Sequence, residues 1–486
     1  MGLQSPPAVT EPLDTVPLCV DLDGTLIKTD VLWESLVKLL RQNPLHWLAV
    51  PFWLLKGRAH LKAQLATRVA LDAAALPYNE ALLSFLRTEK QRGRRLVLVT
   101  AADLRLAQSV ADHVRLFDEV LASDGRINLR GKQKGATLAQ RFGKGAFDYA
   151  GNSAVDLPVW EQARQALVVN GTSRLAQRAA QCGTVGRVFE VRKSSMKSLI
   201  RALRPHQWVK NLIIFVPLVA SHQLTNLTLA RNDLLAFAAF SLCASAVYIL
   251  NDLLDVDSDR HHPTKRLRPF ASGDLAMSVG LVLFPLLLAA SALLTWTLSW
   301  SFAAVLGVYV LLTTLYSWRL KQVPLVDVFC LTGLYTIRLI GGHEATGVAY
   351  SFWLLVFSMF IFLSLALVKR FVELAAARQF SNKEIKGRGY APGDAELVTA
   401  LGSSSGYLSV LVLALYVNSQ EVRVLYHRPI LLLLICPAML YWISRVWLLA
   451  HRGQMHDDPI VFAIKDRVSY LIAAIVLGVL WLATGR

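Results

Sequence analysis

The chain has 486 residues, 54% of them hydrophobic and only 17% charged, a balance that argues against an ordinary soluble enzyme and suits a membrane protein carrying a soluble part. Its formal net charge of +17, from 51 Lys+Arg against 34 Asp+Glu, asks for anionic partners: nucleic acid, anionic lipid or phosphorylated substrates. The five cysteines, Cys19, Cys182, Cys243, Cys330 and Cys436, show no pair at metal-ligand or redox spacing and read as packing residues.

In chain order, residues 1–15 have neither the basic start nor the apolar core of a cleavable signal and read as a disordered N-terminus, so the first domain is expected in the cytoplasm. From 16 to about 185, the β-type runs VPLCV (16–20), RLVLV (95–99), DEVLA (118–122), AFDYA (146–150) and ALVVN (166–170) alternate with helical stretches. That alternation predicts a parallel α/β sheet covered on both faces. Residues 30–90 form a helical insertion, a small cap. Within it PLHWLAVPFWLLKG (44–57) is unusually apolar yet too short and proline-broken to span a bilayer, and serves either as cap core or as a surface dipping into lipid.

VDLDGTL (20–26) places two acids one residue apart at the carboxyl end of the first strand, where ligands bind in such sheets. Thr100 closes RLVLVT, Lys134 sits in NLRGKQKGATL, and Asn152 and Asp156 sit in YAGNSAVD. This order resembles the haloacid dehalogenase (HAD) phosphohydrolase superfamily over roughly 16–185. The resemblance implies Asp21 as nucleophile, Asp23 as general acid, Thr100 and Lys134 on the phosphoryl group, and a Mg2+ held by Asp21, Asp23 and either Asn152 or Asp156. Asn152 stands where the family usually has an acid, so a domain without catalysis, serving as scaffold or regulator, is the alternative.

After a linker at 186–205, apolar runs near 210–222, 234–251, 277–297, 301–317, 325–341, 351–368, 400–418, 429–448 and 467–484 predict an all-α polytopic domain of about nine transmembrane helices, occupying 206–486. Basic residues crowd alternate connections, so the positive-inside rule puts the α/β domain and the charged clusters on the cytoplasmic face. The charge excess then belongs to lipid or phosphate ligands, with no nucleic acid. Asp252, Asp255 and Asp259 fall at i, i+3 and i+7; if the helix continues they share a face suited to Mg2+ on a diphosphate, followed by Lys265, Arg266 and Arg268 for phosphate oxygens. A second cluster, Lys369, Arg370 and Glu373, shares a face at the end of the sixth run, and the two clusters are expected to face one another across a bundle mouth. Arg338, inside the fifth run, requires an anionic ligand or an aspartate partner.

RPHQWVKN, NDLLDVDSDR, KRLRPFASG, YSWRLKQVPLVD, IRLIGG and KRFVEL together resemble the UbiA superfamily of intramembrane prenyltransferases, over roughly 195–486. The RPxQWxKN opening and the cationic KRxxE motif resemble the polyprenyl-phosphate phosphoribosyltransferase branch. That branch implies phosphoribosyl pyrophosphate (PRPP) and polyprenyl phosphate as substrates and Mg2+ as cofactor. It implies Asp252, Asp255 and Asp259 on the metal, with Asn251 orienting it or the ribose. Lys369, Arg370 and Arg388 would bind phosphates, Glu373 ribose hydroxyls, Tyr390 would pack nearby, Lys210 or Lys321 would meet the lipid phosphate, and Tyr316 is a further substrate-binding candidate. A fused HAD domain would then remove the 5-phosphate. Transfer from a prenyl diphosphate to an aromatic or quinone-type acceptor is the alternative enzyme, and a membrane scaffold or transporter the alternative class; a homo-oligomer is compatible with either.

Overall fold

A computed structural model describes residues 16–124, 127–189, 196–380, 389–455 and 458–485. The chain forms two compact units: Met1–Leu203 with Ile249–Leu283, and Arg204–Tyr248 with Phe284–Arg486.

The first unit holds a six-stranded sheet, all pairs parallel, in the order β3-β2-β1-β4-β5-β6: β1 Leu18–Val20, β2 Leu96–Asp103, β3 Glu119–Ser123, β4 Asp148–Gly151, β5 Gln165–Val169 and β6 Thr184–Phe189. The five expected strands are all present. The sixth continues into the expected linker, because its register against β5 buries Phe189 against the core of β1 and β2. Strands β1, β2 and β4 are almost fully buried, which is why they read as continuous rather than alternating apolar runs. One face packs Leu18, Val20, Leu96 and Leu98 under the cap side; the other packs Cys19, Val97, Val99 and Tyr149 against helices Lys132–Phe142 and Ser173–Cys182. The strand order reverses between β1 and β4, so the crevice at their carboxyl ends is the place for a ligand.

The cap comprises helices Val31–Gln42, Val50–Leu55 and Arg58–Arg68. Asp30 starts the first by accepting the Leu32 amide at 2.8 Å. A core of its own joins Leu36, Leu39, Leu61, Leu65 and Val69 with the half-buried Val50 and Trp53. Only those two side chains of the apolar 44–57 stretch serve it centrally; Leu45, Leu48, Phe52 and Leu55 point outward.

Among the described residues, seven helices are long and apolar enough to cross a bilayer: Leu227–Leu254, Met277–Thr295, Trp300–Trp318, Phe352–Ala376, Ala395–Val417, Pro429–His451 and Arg467–Thr484. The remaining two expected crossings differ for physical reasons. Pro205 and Pro217 break 205–220 into 3-10 turns (Pro205–Phe215) and a short helix (Val216–Ala220). Val326–Thr346 is a continuous helix whose Asp327, Arg338, His343 and Glu344 lower its apolarity. It is instead buried in its own unit: Gly342 sits so close to the Ile214 carbonyl that a Cβ there would lie 2.0 Å from the oxygen. The protein is thus a multi-pass membrane protein with an α/β domain at its N-terminal side.

Candidate functional site

The Asp-Leu-Asp-Gly turn leaves β1 with Gly24 at φ +72°, a left-handed conformation that glycine adopts without strain. A Cβ at Gly24 would lie 2.0 Å from the Asn152 amide nitrogen, so Asn152 packs directly against this turn. Asp21, buried, accepts from Lys134 Nζ at 2.7 Å, and Lys134 also donates to the Tyr149 hydroxyl at 2.9 Å and the Val99 carbonyl at 3.3 Å. Thr100 is fully buried at the end of the adjacent strand and accepts from the Ala102 amide. The ends of β1 and β4 and the helix Lys132–Phe142 place Asp21, Asn152 and Lys134 around one turn, with Thr100 buried in the adjacent β2.

Asp156 has a different duty from the one considered for it. Its Oδ2 accepts from the Asn152 and Ser153 amides and the Ser153 hydroxyl, and its Oδ1 lies 3.1 Å from the donating Tyr149 hydroxyl. It holds the Asn152 loop in shape and turns Tyr149 toward Lys134; both oxygens are spent on this. With Asp156 so engaged, the hard-oxygen donors for Mg2+ are Asp21, Asp23 and the neutral Asn152 amide oxygen, a set whose chemistry fits a weakly held magnesium ion.

Burial pushes Asp21 up to about 6 against the downward pull of Lys134. Burial, then the charges of Asp30 and Asp21, hold Asp23 well above the usual carboxylate range, the condition for a proton donor near neutral pH. Asp23 also accepts the Val31 amide at 2.8 Å, tying the acid to the first turn of the cap. Lys62, a cap residue that no motif marks, reaches with its Nζ the Ala101 carbonyl at 2.6 Å and Asn128 at 3.3 Å and helps line a small cavity beside Asp23. Its pKa is lowered, chiefly by burial.

The aspartate-rich segment belongs to the same unit. The helix does not run on as expected: it ends at Leu254, Asp255 takes a distorted turn (φ −94°, ψ 6°), and a short helix restarts at Val256–Arg260. Asp252 and Asp259, both buried, still converge, but on Arg268, which lies 3.1 Å from one and 2.7 Å from the other. Asp255 leans instead toward Arg41 at 3.8 Å, and its amide closes on the Asn251 carbonyl. Among the described residues no three acidic, histidine or cysteine side chains form a group able to hold a metal. Two carboxylates gathered around one cation nonetheless fit a divalent ion in charge and in donor type. Lys265 and Arg266 are exposed.

This segment is tied to the cap. Arg260 donates to Glu34 at 2.6 and 3.1 Å and to the Ala271 carbonyl, and Lys38 pairs with Asp257 at 2.6 Å. The Glu34–Arg260 pair is almost wholly buried. Arg260→Ala, which strands Glu34, is expected to destabilise the unit by about 3–5 kcal/mol. Thermal unfolding of the detergent-purified chain checks this; a melting temperature equal to wild type would make the pair incidental.

In the second unit Lys210 and Lys369 converge on one carboxylate, that of Asp458, at 2.8 and 3.2 Å, with the Tyr335 hydroxyl at 3.3 Å. Burial works to raise Asp458, but Lys369 and Lys210 more than reverse this and hold it well below the usual carboxylate range. Tyr316 is close enough to Lys369 to interact electrostatically, and Lys321 sits in the turn Leu320–Gln322.

Arg370, expected on phosphate, is completely buried: it pairs with Asp327 at 2.5 Å and with Glu373, and lies over the Tyr390 ring at 5.5 Å. Tyr390 in turn donates to Asp327 at 2.7 Å. Arg370, Glu373 and Tyr390 thus form a structural hub around Asp327, while the neighbouring Lys369 turns to Asp458. Arg338 also departs from expectation, since its hydrogen-bond partners among the described residues are neutral: Asn211 at 2.8 Å, the Tyr309 hydroxyl at 3.2 Å and the Leu334 carbonyl. The Tyr309 ring lies 5.0 Å away. Arg388 lies outside the described residues.

Sequence comparison finds two families along the chain and assigns the aspartate-rich segment to the second. Residues 213–472 match the UbiA prenyltransferase family and residues 18–161 match haloacid dehalogenase-like hydrolase. Protein y4nM of Sinorhizobium fredii is 40% identical over 466 residues, covering 95% of this chain and 90% of that protein. Nodulation protein NoeC of Azorhizobium caulinodans is 35% identical over 285 residues, 58% of this chain and 92% of that protein. Decaprenyl-phosphate phosphoribosyltransferase of Mycobacterium tuberculosis is 38% identical over 189 residues, 37% of this chain and 61% of that protein, so less than two thirds of its length is spanned. The chain belongs to the UbiA prenyltransferase family, with a HAD-like hydrolase domain joined at its N-terminal side.

Proposed function

We propose that the membrane domain transfers 5-phosphoribose from PRPP to a polyprenyl phosphate, releasing pyrophosphate, and that the HAD-like domain then removes the 5-phosphate to leave polyprenyl-phosphate ribose. The observation that carries this reading is the gathering of Lys210 and Lys369 on the single carboxylate of Asp458, a net positive site built for phosphate rather than for a second metal. The likeness to decaprenyl-phosphate phosphoribosyltransferase supports the same choice. The basic connections support a cytoplasmic placing of the α/β domain and of both sites.

In the transfer, a phosphate oxygen of the lipid attacks the anomeric carbon as the C–O bond to pyrophosphate breaks. Lys210 and Lys369 would hold phosphate oxygens, and Arg370 would keep Glu373 and Asp327 fixed behind them. In the hydrolysis, Asp21 attacks phosphorus while Asp23 gives its proton to the departing sugar oxygen; Asp23, now a carboxylate, then takes a proton from the water that attacks the aspartyl phosphate, returning Asp21 and inorganic phosphate. Lys134 screens the approach of the carboxylate to the phosphoryl group, and Thr100 donates to one of its oxygens. Mg2+, with Asp21, Asp23 and Asn152 as donors at one site and Asp252, Asp255 and Asp259 at the other, would supply charge stabilisation to phosphoryl oxygens and to the leaving pyrophosphate. Joining the two activities in one chain raises the effective concentration of a scarce lipid at the second site.

Mass spectrometry of the lipid made from PRPP and a polyprenyl phosphate by the purified chain tests this. The expected product is the ribosyl lipid, with one inorganic phosphate and one pyrophosphate released per turnover. Product formed only from a prenyl diphosphate and an aromatic acid would overturn the first step, and a phosphoribosyl lipid that never loses phosphate would overturn the second.

A further inference from the structure

The outer face of the cap carries an apolar surface that its own folding does not need. Leu45, Leu48, Phe52 and Leu55 are 72, 71, 67 and 84% exposed, while Val50 and Trp53 from the same stretch point into the cap core, with Arg68 over the Trp53 ring at 4.7 Å. Trp47 stands half exposed beside them. Isolated exposed leucines need no explanation, but four in one eleven-residue apolar stretch, Leu45–Leu55, form a patch with a purpose.

Two further observations say what covers it. From residue 35 to residue 71 there is no Asp or Glu, while Lys38, Arg41, Lys56, Arg58, Lys62 and Arg68 supply six cations. An apolar face with aromatic members, flanked by the exposed Lys56 and Arg58, is complementary to a bilayer surface with anionic headgroups. The second observation is position. Arg41, the penultimate residue of the first cap helix, donates to the carbonyl of Leu254 at 3.1 Å, and Lys38 pairs with Asp257. Leu254 is the last residue of the 28-residue helix Leu227–Leu254, which at about 1.5 Å per residue is roughly 42 Å long and so reaches the headgroups of a bilayer whose hydrocarbon core is about 30 Å thick. Leu45 follows Arg41 by four residues, so it begins within about 14 Å of Arg41.

We propose that this face of the cap docks in the plane of the membrane, with Leu45, Leu48, Phe52 and Leu55 in the headgroup and upper acyl region and Lys56 and Arg58 on anionic lipid phosphates. The stretch is too short to span and lies along the surface instead. Docking would hold the mouth beside Asp23 and Lys62 at the depth where the phosphate of a lipid-linked ester resides, so that an amphiphilic substrate need not leave the bilayer. The inference rests on the membrane spans and the cap geometry, not on which lipid the enzyme consumes.

The test places a photoreactive benzoylphenylalanine at Phe52 or, as control, at Lys144, in the full chain reconstituted in nanodiscs of phosphatidylethanolamine and phosphatidylglycerol. Lys144 is exposed in the loop preceding β4, at the amino end of the strands and away from the cap. A lipid adduct at position 52 and none at 144 is expected, with loss of most of the adduct when phosphatidylcholine replaces phosphatidylglycerol and when Lys56→Glu and Arg58→Glu are combined. No lipid adduct at 52, or adducts only to a second copy of the chain, would overturn the proposal. The readout is independent of both catalytic activities, so a failure of the proposed reactions leaves it interpretable.

Discussion

Asp21→Asn is expected to abolish phosphate release, by on the order of 10⁴-fold or more, while leaving formation of the phosphoribosyl lipid intact. The substitution is nearly isosteric, so the turn, the Gly24–Asn152 packing and the Lys134 contacts with Tyr149 and Val99 have no reason to change. What is lost is the carboxylate that attacks phosphorus, and an amide oxygen cannot replace it. The lipid product should therefore grow heavier by one phosphate. Asp23→Asn should behave differently: the nucleophile survives, so phosphate esters with good leaving groups are still cleaved, whereas a sugar alkoxide, needing the proton Asp23 holds, is not. Unchanged phosphate release by the Asp21 variant would return this domain to the scaffold reading.

The constellation behind that prediction was visible in the sequence because its members lie at or near the carboxyl ends of strands, which an all-parallel sheet brings to one edge whatever the strand order. VPLCV, RLVLVT and AFDYA each end on the residue or loop that lines the crevice, and parallel pairing places those ends side by side. Lys62 was invisible because a cap residue reaches the site through tertiary packing, with nothing in its neighbourhood to mark it. The membrane clusters were legible in type and misread in pairing. Spacing placed Arg370 and Glu373 on one helix face, but it did not disclose that Asp327 and Tyr390, 43 residues before Arg370 and 20 after it, would enclose the guanidinium. Asp458 could not be found at all, because the second aspartate of HDDP in a polar connection gains its meaning only from the two lysines it binds. The i, i+3, i+7 argument for the aspartates assumed a straight helix. The interruption at Asp255 shows how far such an argument depends on backbone continuity.

That interruption makes Asp255 the second position of large expected effect. Asp252 and Asp259 are buried and already share Arg268, whereas the Asp255 side chain is 28% exposed and lies at the weaker 3.8 Å separation from Arg41. It is thus the carboxylate of the three best placed to meet an incoming ion, and its loss leaves two donors that an arginine already neutralises. Asp255→Asn is expected to lower PRPP-dependent transfer roughly 10³-fold, the equivalent of the several kcal/mol that a metal supplies to a departing pyrophosphate. Because the Asp255 backbone, not its side chain, bonds Asn251 and Asp259, the turn should survive and thermal unfolding should match wild type. Phosphate release from a supplied phosphoribosyl lipid should be unaffected, which separates this variant from Asp21→Asn. Arg41→Ala sharpens the test in the other direction: if Arg41 competes with the ion for Asp255, its removal should lower the magnesium concentration needed for half-maximal transfer. Full transfer by Asp255→Asn at limiting magnesium would show that this carboxylate holds no metal, and the role would pass to Asp252 and Asp259 with Arg268 displaced.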